Sequence, residues 1–147
     1  MFAVDTNVLV HAADRSCPEH AACAALVARW RSQVDPWYVS WNVVYEFVRV
    51  VTHPRVFRKP WTAGAAWSFV EAVFASPSLI ILEHTQRHAA IVAQTLAEMP
   101  TLSGNLVHDA HTAILMREHG LRRIYTRDAG FHRFTFVEVI DPLATTR

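Results

Sequence analysis

The sequence lacks long apolar runs, and it has only two cysteines (Cys17 and Cys23), four glycines and one lysine, Lys59. No stretch reaches the roughly 18 consecutive apolar residues of a membrane-spanning helix, so we expect no membrane partner. Cysteines six positions apart on a helical stretch do not face each other, which argues against a disulfide framework or a cysteine-based zinc site and favours a reducing compartment. The first residues contain no lysine or arginine and reach an acid at Asp5, unlike a signal peptide.

The sequence does contain enough apolar material for one buried core. Its 147 residues are 52% hydrophobic and 18% charged, which excludes a disordered chain and is typical of a single domain spanning residues 1–147. The net charge is only +1, but if several of the 13 acids share one pocket, the remaining surface is positively charged. Apart from Lys59, all basic residues are arginines, which bind phosphate groups in a bidentate manner.

Short apolar strands alternate with helical segments along the chain. We expect strands at residues 2–4, 37–39, 79–82, 123–126 and 136–140. We expect helices at residues 8–13, 18–33, 41–52, 62–76, 85–98 and 106–119, with a turn at 127–130 and with Thr6 or Asn7 capping the first helix. This alternation predicts an α/β domain with a mainly parallel central sheet flanked by helices. In such sheets, ligands bind outside the carboxyl ends of the strands.

Four acids occupy positions from which they can meet at that edge of the sheet. Asp5 follows the first strand and Asp128 follows the fourth, while Glu46 and Asp109 lie beside the apolar faces of two helices. We call these four residues the acidic quartet. Clustered carboxylates repel one another unless a cation neutralises them, and all-oxygen ligands suit Mg²⁺ or Mn²⁺. A site of this type predicts phosphoryl-transfer chemistry with a metal-activated water.

Each acid taken alone also has an ordinary structural interpretation. Asp5 can simply end a strand, and Asp128 can form a turn. The charge of Asp109 is favourable in the first turn of a helix, and Glu46 can pair with Arg49. The joint pattern is more specific than any one member and favours the metal site.

Four segments in order carry a resemblance to a known family: Val4-Asp5-Thr6-Asn7-Val8-Leu9, Glu46 with Arg49, Asp109-Ala110, and Thr126-Arg127-Asp128-Ala129-Gly130-Phe131. Over nearly its whole length, the sequence resembles the PIN-domain ribonucleases of the VapC type, the toxin halves of bacterial toxin–antitoxin pairs. The resemblance implies a single PIN-like domain whose acidic pocket binds Mg²⁺ or Mn²⁺ and which cleaves RNA endonucleolytically. It also implies a homodimer, a cognate antitoxin whose tail blocks the pocket, and a cytoplasmic location.

The resemblance also implies roles for individual residues. The acidic quartet matches the family's catalytic and metal-binding acids position by position. Thr6, Asn7 and Thr126 match the polar residues that hold carboxylates or waters in place. The chain departs from the family at Gly130, where many relatives have a further acid, and this removes one ligand expected for a second metal ion.

Residues outside these motifs suggest further contacts. Arg55, Arg58 and Lys59 are candidate contacts to an RNA backbone, although a solvated loop explains them equally well, and His108 beside Asp109 is another candidate. The closely spaced histidine pairs near residues 84 and 108 lack the glutamate of a His-Glu-x-x-His zinc hydrolase. A dense group of aromatic residues is expected to divide between the core and a dimer or antitoxin surface: Phe57, Trp61, Trp67, Phe69 and Phe74.

Single residues distinguish this chain from other protein classes that have an acid after the first strand. An aspartate-based phosphatase needs a second Asp where this chain has Asn7, and a receiver domain needs a lysine at a late strand end, whereas Lys59 precedes a helix. A catalytically idle PIN-fold module that binds RNA or a partner stays open, but such a module has little reason to keep four repelling acids. A DNA or flap nuclease shares the metal chemistry, and the lack of a DNA-clamping insertion favours RNA.

Overall fold

The computed structural model describes residues 1–144, so the predicted domain end at residue 147 lies outside the described residues. The strands are β1 (Phe2–Val4), β2 (Trp37–Ser40), β3 (Leu79–Leu82), β4 (Arg123–Tyr125) and β5 (Glu138–Ile140). The helices are α1 (Thr6–Ala13), α2 (His20–Ser32), α3 (Trp41–Thr52), α4 (Ala63–Phe74), α5 (His88–Glu98) and α6 (Leu106–Glu118), with a 3-10 helix at Ala129–Arg133. This order confirms the predicted α/β class.

The strands form one sheet in the order β3-β2-β1-β4-β5, and every neighbouring pair is parallel. β1 therefore lies at the centre, with β2 on one side and β4 on the other. Along the chain, β2 and then β3 extend the sheet on one side of β1, and β4 and then β5 extend it on the other side. The carboxyl ends of β1 and β4 meet where this order reverses, and open parallel sheets bind their ligands at such a reversal.

Alternating side chains of the strands supply two cores, one on each face of the sheet. Val4 of β1 and Tyr125 of β4 contribute to the first core, whereas their chain neighbours Ala3 and Ile124 contribute to the second. The first core packs against α1, α2, α3 and α4, and the second against α5, α6 and the 3-10 helix. Helices thus cover both faces, and none within residues 1–144 is long and apolar enough to cross a bilayer.

Several predicted boundaries are wrong by one to three residues. β5 begins at Glu138 instead of residue 136, because Phe136 and Val137 pack into the second core while only three residues pair with β4. α5 begins at His88 instead of residue 85, because the Thr85 hydroxyl accepts a hydrogen bond of 3.1 Å from the Arg87 backbone N–H and forms a turn there. The predicted turn at 127–130 continues directly into the 3-10 helix.

The capping of the first helix also differs from the prediction. α1 begins at Thr6, and its N-cap is Asp5 instead of Thr6 or Asn7. The Asp5 carboxylate accepts a hydrogen bond of 2.7 Å from the Thr6 backbone N–H, which satisfies one of the free donors at the helix start. Asp5 therefore ends a strand and begins a helix, and this double role fixes its position at the centre of the sheet edge.

Candidate metal centre

The central strands place two members of the acidic quartet. Asp5 follows β1 and is buried, and its backbone N–H donates to the Tyr125 carbonyl of β4 at 3.1 Å. Asp128 follows β4 at the same edge and is exposed. Both acids therefore lie where the strand order reverses, one at the floor of the site and the other at its rim.

Helices on opposite faces of the sheet place the other two members. Glu46 belongs to α3, which packs on the first core, and Asp109 lies in the first turn of α6, which packs on the second. A hydrogen bond of 2.9 Å from the Asn42 amide in α3 to the Thr112 hydroxyl in α6 ties these two helices together. All four acids of the quartet line one small cavity of about 210 Å³. The structure thus brings together the four acids predicted from the sequence.

Three polar residues hold the Asp5 carboxylate. Its Oδ2 atom accepts a hydrogen bond of 2.6 Å from the Thr126 hydroxyl and another from the Asn7 amide. The same Asn7 amide donates to Thr126 Oγ1 at 2.9 Å, while the Thr6 backbone occupies the other carboxylate oxygen of Asp5. Thr6, Asn7 and Thr126 therefore all contact Asp5, at the positions predicted for supporting residues.

The two threonines also connect Asp5 to its neighbours in the quartet. The Asp128 backbone N–H donates to Thr126 Oγ1 at 2.9 Å. The Thr6 hydroxyl lies 3.3 Å from Glu46 Oε2, within hydrogen-bonding distance. These bonds fix the backbone of Asp128 and the carboxylates of Asp5 and Glu46 relative to one another.

Repulsion within the quartet appears in the acidity of two carboxyl groups. The pKa of Asp109 is raised from 3.8 to about 7, first by burial and then by the charges of Asp128, Asp5 and Glu46. The pKa of Asp5 is raised to about 6, chiefly by burial, although the hydrogen bond from Thr126 lowers it. The charges of Glu46 and Asp128 add to that rise. The carboxylates are therefore close enough to resist being ionised together.

Asp109 has the fewest partners in the quartet. None of the hydrogen-bond donors within the described range 1–144 lowers its pKa, so burial and like charge act on this carboxylate unopposed. A partly buried carboxylate without a donor, facing three others, is costly unless a cation is present. Hard carboxylate oxygens are the ligands that small divalent cations prefer. The donor set of the quartet therefore fits a divalent metal ion.

Gly130 allows Asp109 and Asp128 to lie close to each other. The Gly130 backbone N–H donates to Asp128 Oδ1 at 2.7 Å. A Cβ atom on this residue would lie 2.8 Å from Asp109 Oδ2 and 3.0 Å from Asp128 Oδ1, which is closer than van der Waals contact. A further acid at position 130 would require both carboxylates to move, so the chain's departure at Gly130 agrees with the packing of its own quartet.

A wider cleft of about 700 Å³ opens beside the quartet. It is lined by Glu46, Asp109 and Asp128 and by five other residues: Asn42, Tyr45, Arg49, Asn105 and His108. His108 thus lines the cleft, and its contact with RNA stays a prediction. The sequence contained a signal for Asn42, which precedes Glu46 by four residues and shares its helix face. It contained none that distinguished Tyr45, whose ring is 73% exposed, or Asn105.

The predicted basic contacts of the loop after α3 lie elsewhere. Arg55, Arg58 and Lys59 are exposed, and none of them lines the cleft beside the quartet. Arg58 and Lys59 instead line a separate cavity of about 610 Å³ together with residues 13–16. The structure therefore does not group these three bases with the acids.

The aromatic residues between positions 57 and 74 divide between the core and the surface. Phe57 is buried, whereas Trp67 is 42% exposed. Trp67 and Trp41 each pack edge-on against Phe74, and Trp41 also contacts Tyr45. We call Trp41, Tyr45, Trp67 and Phe74 the aromatic face, a partly exposed surface of α3 and α4 that reaches the cleft at Tyr45.

Comparison with known proteins gives a consistent result. Residues 2–137 match the family model described as PIN domain. Ribonuclease VapC43 of Mycobacterium tuberculosis is 34% identical over 143 residues, which cover 97% of this chain and 96% of that protein. The similarity therefore spans almost the full length of both chains.

Two solved structures share the fold. The crystal structure of Mycobacterium tuberculosis VapC20, a sarcin-ricin loop cleaving toxin, has a TM-score of 0.67 at 21% identity and covers 96% of this chain and 100% of that chain. VapBC2 from Rickettsia felis, bound to a DNA fragment from its promoter, has a TM-score of 0.62 at 16% identity and covers 95% and 96%. At these identities the likeness establishes the fold alone.

Proposed function

This chain belongs to the PIN-domain family, and within it to the VapC-type ribonucleases, and on that premise we propose that it is the toxin of a toxin–antitoxin pair that cuts RNA endonucleolytically with Mg²⁺ or Mn²⁺. The observation that carries the proposal is the convergence of the acidic quartet on one cavity. The raised pKa of Asp109 supports it, because no hydrogen-bond donor among residues 1–144 offsets the burial of this carboxylate.

We assign the ligand roles from burial and hydrogen bonding. Asp5, Asp109 and Asp128 would hold the metal ion, and Glu46 would bind it or orient the attacking water. When bound, the ion supplies an activated water and charge stabilisation at the leaving oxygen. Asp5 contributes a carboxylate whose orientation is already set by Thr126, which reduces the reorganisation needed on binding.

Residues of the wider cleft would bind and position the RNA. Arg49 reaches Glu46 at 3.3 Å, and its side chain is 63% exposed, so the guanidinium can turn toward a phosphate at the rim. His108 and Asn105 line the opposite wall of the cleft from α6 and the residue before it. Tyr45 offers an exposed ring on which an unpaired base can stack. The target is therefore expected to present a single-stranded or looped segment.

The partners follow from the same assignment. We propose a cognate antitoxin whose tail covers the quartet, and a homodimer as the unit that it binds. The aromatic face is the surface we assign to such contacts, because exposed aromatic rings are enriched at protein interfaces. A cytoplasmic location is part of the proposal and agrees with the free thiols of Cys17 and Cys23.

Cleavage of a mixed pool of structured RNAs by the purified, antitoxin-free chain tests the function. We expect discrete products with Mn²⁺ or Mg²⁺, none with EDTA, and none with Asp109→Asn. Asp35→Asn, which changes the charge equally at an exposed position away from the cleft, is the matched control and should cut normally. Products that form with EDTA or with Asp109→Asn would contradict the metal mechanism. Cleavage of DNA but of no RNA would favour a DNA nuclease.

A further inference from the structure

A second cluster of metal-binding side chains lies outside the acidic quartet. It consists of His11 in the last turn of α1, Cys17 in the connection to α2, and Glu19 at the N-cap of α2. We call these residues the thiol triad. One donor atom from each lies within 4.8 Å of the others. The function proposed above makes no use of the triad.

The spacing of the triad is close to that of a tetrahedral metal site. In such a site, bond lengths of about 2.0–2.3 Å place neighbouring ligand atoms about 3.3–3.8 Å apart. The Nδ1 atom of His11 is already 3.6 Å from Glu19 Oε2. Cys17 Sγ lies within 4.8 Å of both, so it must approach by about 1 Å at most to reach the upper end of that range.

The His11 ring has an unsatisfied atom in this cluster. Its Nδ1 is buried and has no hydrogen-bond partner within residues 1–144, although 24% of the side chain as a whole is exposed. Buried polar atoms are nearly always satisfied, so such an atom needs an explanation. Because this nitrogen faces a carboxylate oxygen beside a thiol, a bound cation is the partner that satisfies all three groups.

Neighbouring contacts orient the other two ligands. Arg127 Nη1 donates to Glu19 Oε1 at 2.7 Å, which leaves Oε2 directed at His11. The Cys17 thiol lies 3.7 Å from the His11 carbonyl oxygen, which also faces His20 Nδ1 at 3.2 Å. The bond from Arg127 thus holds the Glu19 carboxylate in place before the ion arrives, whereas the Cys17 thiol gives up its bond to the carbonyl when it loses its proton to bind the ion.

We propose that the thiol triad binds one divalent transition-metal ion of the zinc class, separate from the metal ion of the acidic quartet. A nitrogen, a thiolate and a carboxylate suit Zn²⁺ or Co²⁺, whereas Mg²⁺ and Mn²⁺ prefer the all-oxygen quartet. Three protein ligands at a half-exposed site leave the fourth position to water. The ion would join the connection between α1 and α2 to the end of α1. Arg127, which donates to Glu19, would join the metal site to the loop that carries Asp128.

Cobalt titration of the metal-free, full-length chain tests this site. A Cys–Co²⁺ bond produces a near-ultraviolet charge-transfer band that oxygen ligands do not produce, so the readout needs neither RNA nor nuclease activity. We expect the band to saturate at one equivalent and to disappear when Zn²⁺ is added. Cys17→Ser should remove the band, and Glu19→Gln should weaken Co²⁺ binding by at least about tenfold.

Matched variants separate the two metal sites. Cys23→Ala removes the other, buried cysteine and should keep the band, as should Asp109→Asn, which damages only the quartet. Mn²⁺ binding should show the reverse pattern, surviving in Cys17→Ser and falling in Asp109→Asn. Circular dichroism confirms that each variant is folded. The proposal is overturned if folded wild type gives no thiolate band, if the band survives in Cys17→Ser, or if it is lost in Asp109→Asn. Failure of RNA cleavage leaves all of these readouts intact.

Discussion

Replacing Asp109 by Asn should stabilise the metal-free protein while it abolishes cleavage. The pKa of this carboxyl is raised from 3.8 to about 7 by burial and by its three acidic neighbours. The folded chain therefore binds more protons than the unfolded chain between about pH 4 and pH 7, so its stability falls as the pH rises through that interval. An amide of the same shape carries no charge and avoids this loss.

The expected gain in stability is calculated from the pKa shift of Asp109. A rise of this extent corresponds to roughly 4 kcal/mol if the whole shift acts on stability at pH 8. Solvent screening reduces it, because the side chain is only partly buried, and Asn also loses about 0.3–1 kcal/mol of favourable interaction with the dipole of α6. We therefore expect a net stabilisation of about 1–2 kcal/mol, or a rise in Tm of about 2–8 °C for a chain of this size.

Thermal unfolding of wild type and Asp109→Asn in EDTA at pH 5 and pH 8 measures this effect. The difference in Tm should be largest at pH 8 and smaller at pH 5, where the wild-type carboxyl is already mostly protonated. Added Mn²⁺ should raise the Tm of the wild type far more than that of the variant, because only the intact quartet binds it well. Asp35→Asn should show neither effect. A variant that is equally stable or less stable at pH 8 would refute the repulsion inferred for the metal-free quartet.

Further predictions concern the supports of the quartet and the assembly of the chain. Gly130→Ala should fold normally but bind Mn²⁺ and cut RNA at least about tenfold less well, because its Cβ displaces the Asp109 carboxylate; unchanged Mn²⁺ affinity in a titration would contradict this. Thr126→Val should lower the free energy of unfolding by about 1–3 kcal/mol in urea, because it removes the hydroxyl that donates to Asp5 and accepts from the Asp128 backbone N–H, and a loss below this range would show that water replaces the hydroxyl. The purified chain should sediment as a dimer at micromolar concentration, and a strictly monomeric mass would disprove the homodimer.

Much of the fold was predictable because local and long-range preferences agree along this chain. β3 is a continuous apolar run, and the face of α3 that carries Val43, Phe47 and Val51 is apolar at helical spacing. Boundaries failed where particular contacts decide them: Phe136 packs into the second core instead of pairing, and the Thr85 hydroxyl forms a turn before α5. The choice of Asp5 as helix cap was also hidden, since Thr, Asn and Asp are all good caps.

The candidate site was likewise predictable only in part. The acidic quartet was predictable because parallel strands bring their carboxyl ends to one edge and because four acids in order are a specific pattern. The wall of the cleft was not, since Tyr45 and Asn105 carry no pattern of their own. The thiol triad escaped prediction for a geometric reason. Its members span the end of α1, a connection and the start of α2, so no helical or strand spacing relates His11 to Cys17.

The bond between Asp5 and Thr126 joins residues that are 121 positions apart. β4, which brings Thr126 to that place, lies between the central strand β1 and the edge strand β5 and pairs with both. A contact of such large separation requires closure of a long loop, and the entropy cost of that closure must be offset by the pairing that accompanies it. Completion of the metal site therefore depends on docking of β4 against β1, and metal affinity reports on that docking independently of helix content. A nascent chain that has not yet made β4, or one from which a protease has removed β4 and the residues after it, lacks both the bond from Thr126 to Asp5 and the carboxylate of Asp128.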